Sequence, residues 1–528
     1  MEHRIATDAK ALRSYLGGKW QLGEERGAPL VNPCDGTVLA WAGSKGLDLA
    51  GALEHAREVG GPELRKLTYA QRAELLGRIA DLLGTRRDAW YEIARKNSGN
   101  TKADAAIDID GAIFTLKYFA KAGAKLGDAG RLRDGSPIRL AKDQNFQGLH
   151  VGVPLEGVAV HINAFNFPAW GLWEKAAVSL LAGVPVLTKP ATSTAWLAQE
   201  MVNAVIEAGI LPPGALSILC GSPNDLLDYL RLGDLVAFTG SADTGLAIRK
   251  RLGQDVRVNI EADSLNAALL GPDAAPGSQS FDFFAREVVR EMTSKAGQKC
   301  TAIRRVLVPA EHAVAATDAI GAALAKVVVG NPANPTVTMG PVVNVAQRQS
   351  VEEGIQKLSQ QAQIAYQPNS FSPVDANLEQ GAFVPPTLLT LNSSSDGEIV
   401  NELEVFGPVA TVVPYRDKQD AFGLARRGGG SLAASVFSSD TAFLAETATA
   451  LGPTHGRLLL VDPSIGDSHT GHGIVLPSLM HGGPGRAGGG AELGGLHGLW
   501  FYHQRVAMQG SATTLAALVA QAADPSAE

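Results

Sequence analysis

The first candidates for chemistry in this chain are its thiols. The 528 residues contain only three cysteines, Cys34, Cys220 and Cys300, at spacings that suit neither a disulfide framework nor a zinc site. A lone cysteine reads by default as a small buried hydrophobe, and one of the three is a candidate reactive thiol. A second motif is Gly240-Ser241-Ala242-Asp243-Thr244-Gly245. It opens a helix after a strand, so its backbone N–H groups and the helix dipole can face a pyrophosphate. A third, His469-x-x-His472, lies in a Gly-rich loop without further Cys or carboxylate ligands at useful spacing. No metal is therefore expected there, and the loop is read as lining a substrate entrance.

The elements that must position these groups follow from hydropathy. From Gly157 to Glu261, short apolar runs alternate with helical stretches, as a parallel sheet with crossover helices requires. The runs are 158–162, 184–187, 216–219, 235–238 and 256–260, apolar enough to be buried on both faces. Between the second and third, Ala198, Met201, Val202, Val205 and Ile206 recur at helical spacing until Gly209 and Pro212-Pro213 end the helix. A second α/β unit follows. Its helical stripe of Phe281, Phe284, Ala285, Val288 and Met292 leads into Gly297-Gln298-Lys299-Cys300, and then into the strand-like Arg305-Val306-Leu307-Val308. This unit runs to about Pro477, with a polar, loop-like interruption from Tyr366 to Gly381. The stretch Gly135 to Gly152 and the tail beyond Leu499 fit neither unit and are read as strands offered to a neighbouring subunit. The glycine-dense segment His481 to Gly498 is punctuated by Leu493 and Leu496, and reads as a closely packed loop.

Bulk properties narrow the class. A chain of this length exceeds one hydrophobic core, and 45% hydrophobic with 19% charged residues is ordinary for a globular enzyme. A net charge of −7 argues against nucleic acid and anionic lipid, both of which reward clustered Lys and Arg. The N-terminus lacks the apolar stretch of a signal peptide and no membrane span is seen, so a cytoplasmic protein is expected.

Taken in order, Glu156-Gly157-Val158 through Asn166-Phe167-Pro168, Leu187-Thr188-Lys189-Pro190-Ala191, Phe238-Thr239-Gly240-Ser241, Gly297-Gln298-x-Cys300-Thr301 and Glu404-Val405-Phe406-Gly407-Pro408 resemble the motif series of aldehyde dehydrogenases. The resemblance covers the chain from about Tyr15 to Gly510. It implies an α/β fold with a Rossmann-type cofactor domain (1–134 and 153–264), a second α/β catalytic domain bearing the nucleophile (265–498), and a small β oligomerisation element with the tail (135–152 and 499–528). It also implies a homodimer or dimer of dimers.

The reaction so implied is oxidation of an aldehyde to a carboxylic acid. The carbonyl carbon must become tetrahedral before it can release hydride, and a thiolate suits that task, giving a thioester that water later cleaves. The resemblance makes Cys300 the nucleophile. A free thiol has a pKa of roughly 8.5, so the site must lower that value or lend a base. Asn166 resembles the oxyanion donor, a role worth about 3 to 4 kcal/mol of barrier. Its position ahead of Pro168 also suits a helix N-cap, and the two roles are compatible. Glu261, at the end of the fifth run, resembles the general base for deacylation; Ala262-Asp263-Ser264 follows it where most members have Leu-Gly-Gly. Relatives that pass the acyl group to free coenzyme A lack this base, so hydrolysis is expected. Glu492 matches a second carboxylate thought to relay protons, with a solvated loop Glu as the competing reading.

Cofactor contacts implied in the same way are Ile162, Lys189, Thr192, Gly221, Gly240, Ser241, Gly245 and Ala262, with Lys189 at the adenosine ribose, and Glu404 and Phe406 at the nicotinamide ribose and ring. Enzymes preferring NAD commonly carry Glu at position 192, where its charge would repel a 2′-phosphate. Thr192 with Lys189 nearby predicts NADP, with NAD used less well.

The run Pro477-Ser478-Leu479-Met480-His481-Gly482-Gly483-Pro484-Gly485-Arg486 departs from the common Pro-Phe-Gly-Gly ending. With Glu261-Ala262-Asp263-Ser264 it resembles a branch active in aromatic catabolism, benzoate degradation included. The expected substrate is a coenzyme A-linked semialdehyde, 3,4-dehydroadipyl-CoA semialdehyde, oxidised by a stand-alone dehydrogenase with the thioester left intact. Two other classes compete: a thiol hydrolase or acyltransferase without redox chemistry, which leaves the nucleotide-type domain without purpose, and a non-catalytic scaffold, which intact Asn166, Glu261 and Cys300 oppose.

Overall fold

A computed structural model describes residues 4–526. Its first seven-stranded sheet is built on five parallel strands in the spatial order Arg257–Glu261, Leu235–Thr239, Ala159–Ile162, Val186–Lys189, Leu216–Ile218. Each of the five runs read from the sequence yields one of these strands, with ends displaced by a residue or two. All four residues of Val186–Lys189 are buried, as a strand covered by helices on both faces must be. Ser14–Leu16 and Lys19–Gln21 complete the far edge antiparallel. The strand order reverses between Leu235–Thr239 and Ala159–Ile162, and a crevice opens beyond their carboxyl ends, where open α/β sheets bind ligands.

Two helices matter most to that crevice. Trp170–Ala182 is buried at every one of its residues, so it is a central core helix with no solvent face. Gln279–Thr293 is amphipathic; Phe281, Phe284, Val288 and Met292 form its buried stripe, and the Ser278 side chain caps its start by accepting from the Phe281 N–H.

The second seven-stranded sheet runs Gln363–Tyr366, Thr387–Thr390, Val409–Tyr415, Ile303–Pro309, Asn266–Leu270, Ser431–Phe437, His455–Val461, parallel except for its first pair. Between Tyr366 and Thr387 the chain is irregular apart from one isolated bridge at Val374, where the polar interruption was expected. The segment beyond His455–Val461 returns to the first sheet. Met480–Gly482 pairs with Ala491–Leu493, and the Ala262 N–H donates to the Ala487 carbonyl. Close approach explains the glycines here: a Cβ on Gly488 would lie 2.4 Å from the Ile260 carbonyl oxygen.

The two segments that fitted neither unit meet in a third sheet, ordered His503–Ser511, Phe146–Pro154, Arg131–Arg139, Ala522–Ala523. His503 to Ser511 pairs with Pro154 to Phe146 along its whole length, leaving the other side of His503–Ser511 as an open edge. No helix among the described residues is long and apolar enough to cross a membrane.

Candidate active site

The loop that carries Cys300 starts where Gln279–Thr293 ends. Lys295, Ala296 and Gly297 all take positive φ, at 53°, 51° and 70°, a conformation that carries a strain of about 1 to 3 kcal/mol for each non-glycine residue. The strain is held by hydrogen bonds from both beyond and within the loop. Asp104 Oδ1 accepts the Lys295 N–H at 2.7 Å, Gln298 Nε2 donates to the Lys295 carbonyl at 3.1 Å, and Arg304 Nη2 donates to the Gly297 carbonyl at 2.9 Å. A Cβ at position 297 would sit 2.1 Å from the Gly407 carbonyl oxygen, so the turn requires glycine there. The result presents Cys300 at the mouth of the crevice, while Cys34 and Cys220 are buried as expected.

Cys300 borders two cavities. One is a cleft of about 490 Å³ at the strand-order reversal, lined by Asn166, Gly240, Ser241, Glu261, Ala262, Glu404 and Phe406 among others. The other is an apolar pocket of about 220 Å³ lined by Ile107, Phe114, Phe167, Trp170, Ile474 and Leu476 with Cys300 and Thr301. The expected entrance loop contributes through Gly473 to Leu476, tied to the Cys300 loop by the Thr301 hydroxyl donating to the Gly473 carbonyl at 3.1 Å. His472 is a buried structural residue, its Nδ1 3.0 Å from Ser435 Oγ.

Asn166 is not a helix cap. The residue preceding Trp170–Ala182 is Ala169, which offers no side-chain cap, and Asp108 from the helix Lys102–Ala124 accepts the N–H groups of Trp170 at 2.7 Å and Ala169 at 3.4 Å instead. That leaves the Asn166 amide facing the cleft beside Cys300.

Glu261 ends its strand at 1% exposure. Its carboxylate, the Cys300 sulfur and a ring nitrogen of His481 lie within 4.8 Å of one another. His481 Nε2 is 3.1 Å from Glu261 Oε1, without the alignment of a hydrogen bond. Burial works against the Glu261 charge, yet His481 and Lys175 hold its carboxyl below the ordinary carboxylate range. Burial, reinforced by the charge of Glu261, drives the Cys300 thiol well above the usual range, so Cys300 rests as a thiol facing a carboxylate.

Glu492 is buried, contrary to the solvated alternative. It accepts from Asn259 Nδ2 at 3.0 Å and lies 3.2 Å from Lys175 Nζ, which is 2.6 Å from Glu174 Oε1. Three carboxylates, Glu174, Glu261 and Glu492, thus crowd one ammonium. Burial costs Lys175 its charge, but these carboxylates overcome that and keep it protonated. Burial is also the main cause that drives the Glu174 carboxyl well above its usual range. A chain of acids and one ammonium, with a carboxyl able to keep its proton, can pass protons between the cleft and the interior. Glu174, Lys175 and His481 escaped the sequence reading; for His481 the only signal was its place in a run that departs from the common ending.

Of the remaining expected cofactor residues, Gly240, Ser241, Ala262, Glu404 and Phe406 line the cleft. Ile162, Lys189, Thr192, Gly221 and Gly245 lie outside that lining, near the carboxyl edge of the same sheet. A Cβ on Gly245 would lie 2.8 Å from Ile260 Cγ2, so this glycine serves close helix-to-strand packing. Ser241 caps the helix Ala242–Leu252 by accepting from Thr244 N–H, aiming that helix's start at the cleft. Glu404 accepts the Ser264 N–H at 3.1 Å, and its buried Oε1 stands 3.5 Å from Arg304 Nη2. Phe406 is held edge-on to Phe165 with ring centroids 5.7 Å apart.

The aldehyde dehydrogenase family model matches residues 20–502. The chain belongs to that family. It is 52% identical over 477 residues to the 3,4-dehydroadipyl-CoA semialdehyde dehydrogenase of Aromatoleum evansii, covering 90% of this chain and 93% of that one. Protein MaoC of Klebsiella aerogenes is 45% identical over 181 residues, which is 34% of this chain and 52% of that protein. Among solved structures, betaine aldehyde dehydrogenase of Staphylococcus aureus in complex with NAD+ superposes with a TM-score of 0.80 at 25% identity, over 97% of this chain and 98% of that one. As a member of this family, the chain is an oxidoreductase of mixed α/β architecture that oxidises an aldehyde to the acid.

Proposed function

We propose that this aldehyde dehydrogenase oxidises the distal aldehyde of a coenzyme A-linked semialdehyde, with NADP preferred over NAD, and releases the acid by hydrolysis. The observation that carries the reading is the position of Cys300 between a polar cleft and an apolar pocket. A pocket of about 220 Å³ admits an aliphatic chain and is smaller than the sites that enclose drug-sized ligands, so the coenzyme A moiety stays outside while the aldehyde reaches the sulfur. The relative from Aromatoleum evansii, whose name gives 3,4-dehydroadipyl-CoA semialdehyde as its substrate, supports this class.

The cleft fits a nicotinamide dinucleotide: it lies at the strand-order reversal, a capped helix start faces it, and the Glu404 carboxylate in its lining is an acceptor for ribose hydroxyls. Gly240 and Ser241 would hold the pyrophosphate, Glu404 and Phe406 the nicotinamide side, and Lys189 and Thr192 the adenosine ribose. Thr192 donates to the Gly221 carbonyl at 3.3 Å and puts no negative charge where a 2′-phosphate would sit. The chemistry the dinucleotide supplies when bound is hydride acceptance.

The residues of the chain do the rest. Glu261 takes the proton of the Cys300 thiol, and the sulfur adds to the aldehyde carbon while Asn166 donates to the developing oxyanion. Once a thioester stands on Cys300, Glu261 removes a proton from the attacking water. Lys175, Glu174 and Glu492 carry that proton away from the buried site. The open edge of His503–Ser511 supports assembly into a dimer through sheet continuation.

The test is a panel of kcat/KM values for the CoA-linked semialdehyde and free medium-chain aldehydes with each cofactor, together with sizing of the purified chain. Equal efficiency with free aldehydes would overturn the substrate assignment, and higher efficiency with NAD the cofactor assignment.

A further inference from the structure

We infer that Cys300, Glu261 and His481 bind a Zn²⁺ ion when no aldehyde occupies the site, holding the nucleophile in a reversible, inhibited form. The three side chains come from positions remote in sequence, so no spacing motif announces them, yet they bring thiolate, carboxylate and imidazole donors to within 4.8 Å of one another. These are the ligand types zinc prefers. Zinc-to-nitrogen and zinc-to-oxygen distances of roughly 2.0 to 2.2 Å in a tetrahedron place N and O about 3.4 Å apart; His481 Nε2 and Glu261 Oε1 already stand 3.1 Å apart. The ion therefore asks for only a small adjustment of that pair.

Glu261 and His481 are almost fully buried, and their facing oxygen and nitrogen, 3.1 Å apart, lack the alignment of a hydrogen bond, an arrangement that a cation between them resolves. Entry is open, because Cys300 and Glu261 both line the wide cleft. Binding displaces the thiol proton to solvent, and the sulfur and carboxylate charges together balance the ion. A fourth position remains toward the cleft for water. The adjacent Glu174, Glu261 and Glu492 cluster does not compete, since the Lys175 ammonium already occupies its centre at 2.6 Å from Glu174 and 3.2 Å from Glu492.

The experiment uses chelator-stripped full-length enzyme titrated with zinc chloride against a chromophoric competitor. One ion per chain is expected, with loss of turnover that EDTA restores and protection of Cys300 from iodoacetamide. Cys300→Ser and His481→Phe, each verified as folded by circular dichroism, weaken binding by about tenfold or more. Because either variant can fail to fold, Co²⁺ is added to the wild-type enzyme as well; a thiolate-to-cobalt charge-transfer band with the visible absorption of a tetrahedral ion supports the site. Zinc affinity unchanged in both folded variants, or a cobalt complex without the thiolate band, would overturn it.

Discussion

Asp108 accepts the backbone N–H of Trp170 at 2.7 Å, so the start of the central core helix is capped by a carboxylate from a different helix. One turn away, Asp104 accepts the Lys295 N–H at 2.7 Å. The helix Lys102–Ala124 thereby fixes the Asn166 turn and the strained Cys300 loop against each other. The buried Lys295 ammonium has no hydrogen-bond partner and lies 4.7 Å from the centre of the Phe167 ring, facing the same pair of aspartates. Asp108→Ala should lower unfolding stability by about 3 kcal/mol, the scale of stripping a partner from buried charges and N–H groups. It should also lower kcat through misplacement of Asn166 while leaving the cofactor KM nearly unchanged. Urea titration and steady-state kinetics check both. A variant as stable and as fast as the parent would remove Asp108 from this role.

Glu261 is assigned both to activating the thiol and to preparing water, and the two steps separate kinetically. Glu261→Gln keeps the shape and a polar contact to His481 but cannot accept a proton. Steady-state turnover should fall by about 10² to 10⁴. Rapid mixing with aldehyde and cofactor should still give a slower burst of reduced cofactor, close to one per active site, because deacylation suffers most. A burst that vanishes while the intact protein still binds cofactor would confine Glu261 to activating the thiol.

Thr192 is the position on which the cofactor assignment turns. A carboxylate there would face the 2′-phosphate, and a like-charge contact of about 3 kcal/mol corresponds to roughly a hundredfold. Thr192→Glu should lose about that factor in kcat/KM with NADP while holding or improving its value with NAD. Equal losses with both cofactors would mean that the substitution disturbs the loop and that position 192 does not read the phosphate.

What could be read in advance divides by the range of the interaction. The five strands of the first sheet were legible because their apolar runs must be buried on both faces, and the helix Gln279–Thr293 because its stripe is periodic. The motifs around Cys300, Asn166 and Glu261 singled out three residues that the fold brings to one cleft. The N-cap reading of Asn166 failed because the cap comes from Asp108, about sixty residues earlier, and local pattern carries no trace of such a contact. Glu492 could not be told from a solvated loop residue until Lys175 and Asn259 were seen beside it. His481 is the hardest case: its meaning is set by Glu261 and Cys300, which only the return of the Met480–Gly482 strand to the first sheet brings near.

Glu404 gives the pH prediction. Burial, reinforced by Asp263 and opposed by Arg304, pushes its carboxyl up to about 7. As the proposed acceptor for ribose hydroxyls it would bind the cofactor in its ionised form, so binding would favour deprotonation. Affinity should therefore be full above the free-enzyme value and decline as pH falls through about 7, by up to tenfold per unit. A 2′-phosphate titrates near 6 and would add its own inflection with NADP, which makes NAD the cleaner probe. Fluorescence titration of NAD binding should show the inflection in the wild-type enzyme and a flat profile in Glu404→Gln, whose neutral amide has no proton to exchange. If the inflection survives in Glu404→Gln, another group in the cleft is responsible and the buried carboxyl is not the ribose acceptor.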